Sequence, residues 1–172
     1  MKTLRNCLAL VALLAGVGSC QLEPTLYNSL DATTYPSNDQ EFQTVIGNAY
    51  RGLILYYDRE IYLPLIATCN NTLAILKAST AQVAGKESAL AELRGLRAFF
   101  YFLLCDNFGN VPLKTEDSPT GNIQQSSRTA VFNFIDAELN AITPQLNPTS
   151  PPRTHSKFTK EVAQTLLAKL YL

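Results

Sequence analysis

The side chains that could catalyse a reaction are few and widely spaced. A hydrolytic triad needs a base, and His155, the only histidine in the sequence, lies in a stretch rich in Pro, Ser and Thr. A glycosidase needs two facing carboxylates. Glu116 and Asp117 are adjacent in a predicted loop, whereas Asp136 and Glu138 stand two positions apart, on different faces of a helix. The sequence therefore predicts no catalytic residues, no cofactor and a protein that is not an enzyme.

Other charged side chains favour structural roles. Arg94 and Arg97 lie three positions apart on a predicted helix. We expect them to form ion pairs with acids on neighbouring helices in preference to contacts with a ligand. Glu87 and Glu92, on the same helix, are expected to be solvated.

The cysteines do not form a metal site. None of Cys7, Cys20, Cys69 and Cys105 belongs to a C-x-x-C pair, and a single histidine cannot complete a Cys/His zinc site. We interpret Cys69 and Cys105 as small buried hydrophobic residues. A disulfide between them is the alternative.

The residues before Cys20 indicate that this cysteine is chemically modified. Lys2 and Arg5 precede an apolar run at residues 8–15, which is typical of an export signal. The run leads into Val-Gly-Ser-Cys at 17–20, a pattern that resembles the lipobox of bacterial lipoproteins. Small side chains let the backbone enter a peptidase groove, and the thiol can accept a diacylglycerol. We predict that residues 1–19 are a lipoprotein signal peptide and that Cys20 carries lipid. An ordinary signal peptide with a chance cysteine is the alternative.

Lipid on Cys20 predicts attachment to a membrane without a spanning helix. A diacylglyceryl cysteine with an added amide-linked chain anchors a protein stably, whereas one chain does not. Residues 20–38 carry Pro24, Pro36 and scattered Ser, Thr and Asn, and we predict an extended tether there. The helical domain is then predicted over 39–172.

The composition is that of a folded chain. Apolar residues make up 47% and charged residues 16% of the sequence, which excludes a charge-rich disordered chain. The 14 basic residues balance the 14 acidic ones, so no positive field is available to attract nucleic acid.

Beyond the tether, the apolar periodicity is helical almost throughout. The pattern predicts about five helices. The first begins after an N-cap at Ser37 or Asn38, and the second and third lie near 63–77 and 86–107. The fourth ends before Pro144, and the fifth begins near Thr159. No stretch shows convincing strand alternation. We therefore predict an all-α fold, either a tetratricopeptide-like array or a bundle.

The third helix is the longest and most apolar. Its stretch 99–105 is apolar on all sides and should be covered on most of them. Gly109 is suited to end the helix, and Pro112 prevents its continuation. Small residues such as Gly95 permit a close crossing by another element.

This helix and the loop after it resemble the signature of SusD/RagB-like outer-membrane nutrient-binding lipoproteins. Residues 93–104 (LRGLRAFFYFLL) and 107–113 (NFGNVPL) are similar to a helix with L-R-A and aromatic residues followed by an F/Y-G-D-V-P-L loop. Stretches 41–51, 128–146 and 157–172 resemble further family segments in the same order. With the leader, the resemblance covers nearly the whole chain.

The resemblance implies a protein anchored in the cell outer membrane and facing the exterior. Such proteins bind oligosaccharide or another nutrient beside a SusC-like TonB-dependent transporter, and their N-terminal part is a tetratricopeptide-like scaffold. Family members have several hundred residues and a longer segment between the positions of Tyr50 and Leu93. Since the last helical pattern also reaches Leu172 in mid-course, we expect an incomplete N-terminal domain. A helical scaffold that binds only protein, or a non-functional gene fragment, are the alternatives.

Oligosaccharide sites use aromatic platforms, and the sequence has no Trp. Tyr56, Tyr57 and Tyr62 form the aromatic cluster that the pattern leaves exposed. They are weak candidates for ligand contact, and core packing is the role that we favour for them.

The prediction for Cys20 can be tested in cells. Replacing Cys20 with Ala removes the thiol that accepts lipid, so the protein should move from the membrane fraction to the soluble fraction. Intact-mass analysis of the membrane form should show a chain that lacks residues 1–19 and carries acyl chains on Cys20. Unchanged fractionation of the variant would refute lipid anchoring.

Overall fold

The computed structural model describes residues 34–59, 62–148 and 157–172, with side chains of the first range described up to residue 51. These ranges contain five α-helices: α1 (Asp39–Arg59), α2 (Tyr62–Ala78), α3 (Lys86–Phe108), α4 (Arg128–Ile142) and α5 (Lys160–Leu170). A short 3-10 turn, Thr143–Gln145, follows α4. The all-α prediction is confirmed. None of the helices in the described ranges is both long and apolar enough to cross a membrane.

The start of α1 follows the capping pattern predicted from the sequence. The Asn38 side chain accepts a hydrogen bond from the backbone N–H of Glu41 at 3.0 Å. The Glu41 carboxylate reaches back and accepts from the backbone N–H of Ser37 at 2.8 Å. The first bond satisfies an N–H group that the helix start leaves unpaired, and the second ties the residue before the cap to the first turn.

The folded part begins before α1. Pro36 is buried, and its carbonyl accepts a hydrogen bond from the Ser79 hydroxyl, just beyond the end of α2, at 3.0 Å. Tyr35 packs against the core beside it. The last residues of the predicted tether are therefore docked on the helices.

The central element is α3, which packs against both α2 and α4. It is buried on most of its sides, as the apolar stretch predicts, and Phe100, Tyr101 and Leu104 lie in the core. It ends at Gly109, whose φ of 72° allows its N–H to bond to the carbonyl of Cys105. The long helix is thus the support on which its neighbours assemble.

Facing stripes on α2 and α4 cover α3. Each stripe has the predicted helical spacing, and the buried members are Leu65, Ile66, Cys69, Leu73 and Leu76 on α2, and Val131, Ile135, Leu139 and Ile142 on α4. Phe132, next to Val131 on α4, is only partly buried. Ser127 caps α4 by accepting from the N–H of Ala130 at 3.2 Å.

A two-stranded antiparallel ribbon was missed by the pattern. β1 (Val111–Pro112) pairs with β2 (Gln125–Ser126), with Val111 opposite Ser126. Each strand has two residues, too few for alternation to be visible. The Tyr101 hydroxyl fixes the chain after β1, since it donates to the carbonyl of Lys114 at 2.8 Å and accepts from its N–H at 2.7 Å.

The chain approaches α5 through a close crossing over α3. The ring of Phe158 lies directly on the backbone of Gly95, where any Cβ would overlap it. Thr159 then caps α5 by accepting from the N–H of Val162. The absence of a side chain at Gly95 therefore allows the Phe158 ring to approach the backbone of α3 closely.

The buried face of α3 can be tested with two phenylalanines of the same helix. Phe100 is 0% exposed and Phe108 is 60% exposed. Phe100→Ala should lower the free energy of unfolding by about 3–5 kcal/mol, because it leaves a cavity in the core. Phe108→Ala, the control, should change it by less than about 0.5 kcal/mol. Urea denaturation measures both, and equal effects would show that the buried face is misassigned.

Candidate functional site

The most highly charged cluster in the core surrounds Arg97. The guanidinium is only 3% exposed and forms ion pairs with Glu116 from the loop between the β-strands and with Glu138 from α4. The distance from Nη2 to the Glu138 carboxylate is 2.8 Å. Nη1 also donates to the Asn70 side chain of α2 at 2.8 Å. One side chain thus joins α2, α3, α4 and the loop.

Further bases complete what we call the Arg97 network, which consists of Lys77, Arg94, Arg97, Glu116 and Glu138. Arg94 binds Glu138 through two hydrogen bonds of 2.7 and 3.1 Å. Lys77 lies 2.7 Å from Glu116. The prediction that Arg94 and Arg97 pair with acids on neighbouring helices is confirmed for Glu138 of α4, and Arg97 pairs in addition with Glu116 of the loop.

The network holds its carboxylates in the ionised form. Burial raises the pKa of Glu138, but the hydrogen bonds from Arg94 and Arg97 outweigh burial and the pKa lies below its ordinary value. Burial acts likewise on Glu116, and Lys77 and Arg97 bring the pKa of that carboxyl below its ordinary value. Carboxylates that hold no proton at neutral pH cannot act as general acids. The contacts of the network join α2, α3, α4 and the loop between the β-strands.

Glu92 occupies a second buried polar cluster, so the expectation that it is solvated is wrong. Its side chain is 5% exposed and accepts a hydrogen bond from the Tyr50 hydroxyl at 3.2 Å. Lys157 lies 3.6 Å away. The helical pattern did not show that α1 and the approach to α5 both cover this side of α3. Glu87 is exposed, as expected.

The predicted tyrosine cluster is only partly described. Tyr62 is buried, with its ring edge-on to Phe108 at 6.4 Å between centroids and its hydroxyl accepting from the Asn107 amide at 3.2 Å. The burial of Tyr62 agrees with core packing, the role that the sequence favoured for this cluster. Tyr56 and Tyr57 belong to the end of α1, but their side chains lie outside the description. Phe108, which the pattern did not single out, is the exposed aromatic ring beside Tyr62.

The remaining candidates are thiols and a histidine. Cys69 and Cys105 are free and buried, which confirms their interpretation as buried hydrophobic residues. Burial raises the pKa of Cys69 to about 12, so a reactive thiolate is not formed at neutral pH. Cys20 and His155 lie outside the described residues, as does the predicted signal peptide. In the described ranges, no three Cys, His, Asp or Glu side chains come together in a way that could hold a metal ion.

A concave surface lies where α3 and α5 end and α4 begins. We call it the α3–α4–α5 groove, with a volume of about 430 Å³. Its lining includes the apolar residues Phe102, Phe132, Ile135 and Leu170 and the polar residues Asp106, Arg128, Thr129 and Lys169. The ring of Tyr171 meets that of Phe132 edge-on at 5.9 Å. Aromatic faces beside hydrogen-bonding groups suit a polar ligand with an apolar face.

Solved structures of SusD-like proteins share this fold. A laminarin-binding SusD-like protein is 28% identical, with a TM-score of 0.58, over 64% of this chain and 24% of its own. A SusD-like protein from Bacteroides fragilis is 20% identical, with a TM-score of 0.67, over 83% of this chain and 36% of its own.

A third structure, surface glycan-binding protein A from Bacteroides uniformis, is 24% identical, with a TM-score of 0.60, over 64% of this chain and 26% of its own. The chain thus spans between 24% and 36% of the lengths of these three proteins. No family model matches the sequence, and no curated protein matches it significantly.

The role of the Arg97 network can be tested by removing its centre. Arg97→Met leaves Glu116 and Glu138 buried with fewer partners, so the free energy of unfolding should fall by about 3 kcal/mol. This value is the lower end of the range for a broken buried pair, because Lys77 and Arg94 remain as partners. Arg51→Met, on the exposed face of α1, is the control and should have little effect. Urea denaturation at neutral pH compares them.

The same network predicts a pH dependence. The pKa values of Glu116 and Glu138 are lowered in the folded protein, so their contribution to stability is present above the ordinary glutamate pKa. It is lost as the pH falls through the lowered pKa values. Arg97→Met should therefore lose less stability than the wild type on acidification, and parallel pH profiles would contradict this assignment.

Proposed function

The chain is a SusD-like protein, and from this we propose that it helps to bind oligosaccharide or another nutrient at the cell surface. The observation that carries the proposal is the match of 64% of this chain to a protein described as laminarin-binding. The motif order that resembles the family, with residues 93–104 on α3 and 107–113 after it, supports the same role. A binding protein of this kind needs no catalytic residues.

Within the described residues, we assign oligosaccharide contact to the α3–α4–α5 groove. Sugars present apolar faces that stack on aromatic rings and hydroxyls that need hydrogen-bonding partners. Phe102 and Phe132 offer rings, and Asp106, Arg128 and Lys169 offer charged partners. The groove volume falls in the range of about 300–1,000 Å³ that is usual for small-molecule sites.

The cellular setting is part of the proposal. The pattern at residues 17–20 supports a lipid anchor on Cys20, and the family resemblance supports an outer-membrane position facing the exterior beside a SusC-like TonB-dependent transporter. A transporter partner places the bound nutrient next to its route of entry. Nucleic acid is not expected as a partner, because the charges balance.

A helical scaffold that binds only protein is the second candidate. The exposed apolar side chains Leu63, Phe108 and Val162 are available for contact with such a partner. The absence of Trp from the sequence favours such a scaffold over a strong sugar site.

Calorimetry of the full chain against laminarin, starch, inulin and xylan oligosaccharides distinguishes the two candidates. We expect saturable but weak binding, with a Kd of about 1 mM or roughly 4 kcal/mol, because the groove offers only partly exposed rings. Phe132→Ala should weaken binding about fivefold by removing a stacking surface.

Phe108→Ala is the matched control, because Phe108 is exposed but does not line the groove. It should leave the affinity unchanged. Co-purification of an outer-membrane barrel without saturable binding of any of these sugars would support the protein-only scaffold instead. Equal weakening by both variants would place sugar contact outside the groove.

A further inference from the structure

A chain of hydrogen bonds docks the approach to α5 on two other helices. The backbone N–H of Phe158 donates to the Tyr50 hydroxyl of α1 at 2.8 Å. That hydroxyl donates in turn to the Glu92 carboxylate of α3 at 3.2 Å. Lys157 lies 3.6 Å from the other carboxylate oxygen. We call these four residues the Glu92 clasp.

The clasp gives the Glu92 carboxylate little compensation for its burial. Removing a carboxylate from water costs several kcal/mol, which close, well-aligned charges can offset. The partners of Glu92 are a neutral hydroxyl and a lysine that is 39% exposed and beyond hydrogen-bond distance. Glu138 differs, because two arginines bind it at 2.7 and 2.8 Å.

Among the described residues, one further titratable group interacts with the clasp, and it does not change this balance. The Cys69 thiol of α2 interacts electrostatically with Tyr50. Burial raises the pKa of Cys69 to about 12, so the thiol is neutral. Burial also raises the pKa of the Tyr50 hydroxyl. Tyr50 therefore remains a donor across the physiological range.

We propose that the Glu92 clasp is an acid-favoured latch, which holds residues 157–159 against α1 and α3 more tightly when Glu92 carries a proton. The protonated carboxyl can still accept the hydrogen bond from Tyr50, and it carries no charge that must be desolvated. Ionisation of Glu92 loosens the latch. Because the ring of Phe158 covers the backbone of Gly95, the loosened state exposes both.

The direction of the effect agrees with the titration of Glu92. Burial raises its pKa, and the opposing effects of Lys157 and Tyr50 do not cancel the rise. A carboxyl with a raised pKa in the folded protein favours folding most below the ordinary glutamate pKa. That contribution is lost as the pH rises through the raised value.

Glu92→Gln tests the latch in the full chain, because the amide keeps the shape of the protonated carboxyl. Thermal unfolding of the variant and the wild type should nearly coincide near about pH 4, and the variant should melt about 2–4 °C higher near about pH 8. The contributions of Glu116 and Glu138 are common to both proteins and cancel in the difference. Glu87→Gln, an exposed site on the same helix, should show no such divergence.

A local measurement separates docking of this segment from global stability. Amide exchange of Phe158, corrected for the intrinsic exchange rate, should lose protection several-fold between acid and neutral pH in the wild type but not in Glu92→Gln. Lys157→Met, which removes the counter-charge, should steepen the loss. The proposal would be overturned if Glu92→Gln were less stable than the wild type at neutral pH and this difference in stability disappeared on acidification. Protection of the Phe158 amide that does not change with pH in the wild type would overturn it as well.

Discussion

A guanidinium placed at the centre of an apolar core constrains how the rest of the molecule assembles. Arg97 projects from a helix that is otherwise covered by hydrophobic side chains, and an unpaired charge there would cost more than the domain could offset. Each element around it therefore brings a compensating group: Asn70 from α2, Glu116 from the loop and Glu138 from α4. The ring of Phe134 also lies 5.5 Å from the guanidinium carbon. Hydrophobic burial draws these elements to α3, while the charges determine the positions at which they meet.

Two buried carboxylates beside α3, Glu138 of α4 and Glu92 of α3 itself, show how the distance to a positive charge decides the direction of a pKa shift. Glu138 receives two arginines at hydrogen-bond distance, and its pKa falls in spite of burial. Glu92 receives one distant, partly hydrated lysine, and its pKa rises. The first arrangement makes a permanent joint between α3 and α4. The second makes a contact whose strength depends on protonation, at the place where the chain enters α5.

The same helix organises the surface that we connect with function. Its end forms one wall of the α3–α4–α5 groove, and the loop that follows it carries the N-F-G-N-V-P-L residues that resemble the SusD/RagB family. The Arg97 network holds, through Glu116, the loop that continues from this segment between β1 and β2. A rigid helical support with ligand groups at one end agrees with a binding role that requires no chemistry.

The sequence by itself determined the helices, their caps and the all-α class, because these depend on local periodicity and on residues within one turn of each helix end. The cap formed by Asn38 with Glu41 and the helix end at Gly109 were predictable in this way. The sequence also predicted that Arg94 and Arg97 pair with acids, but the packing of α4 on α3 decided that Glu138 is the shared partner. The burial of Glu92, the neighbours of Tyr62 and the β1–β2 ribbon were decided by the tertiary structure alone. Each of these depends on residues far apart in the chain, such as Tyr50 and Lys157 around Glu92, or Asn107 and Phe108 around Tyr62. Periodicity indicates which face of a helix is apolar, but only the packed arrangement determines which neighbour covers that face. The packing also determines whether a buried charge has a partner close enough to offset the cost of removing it from water.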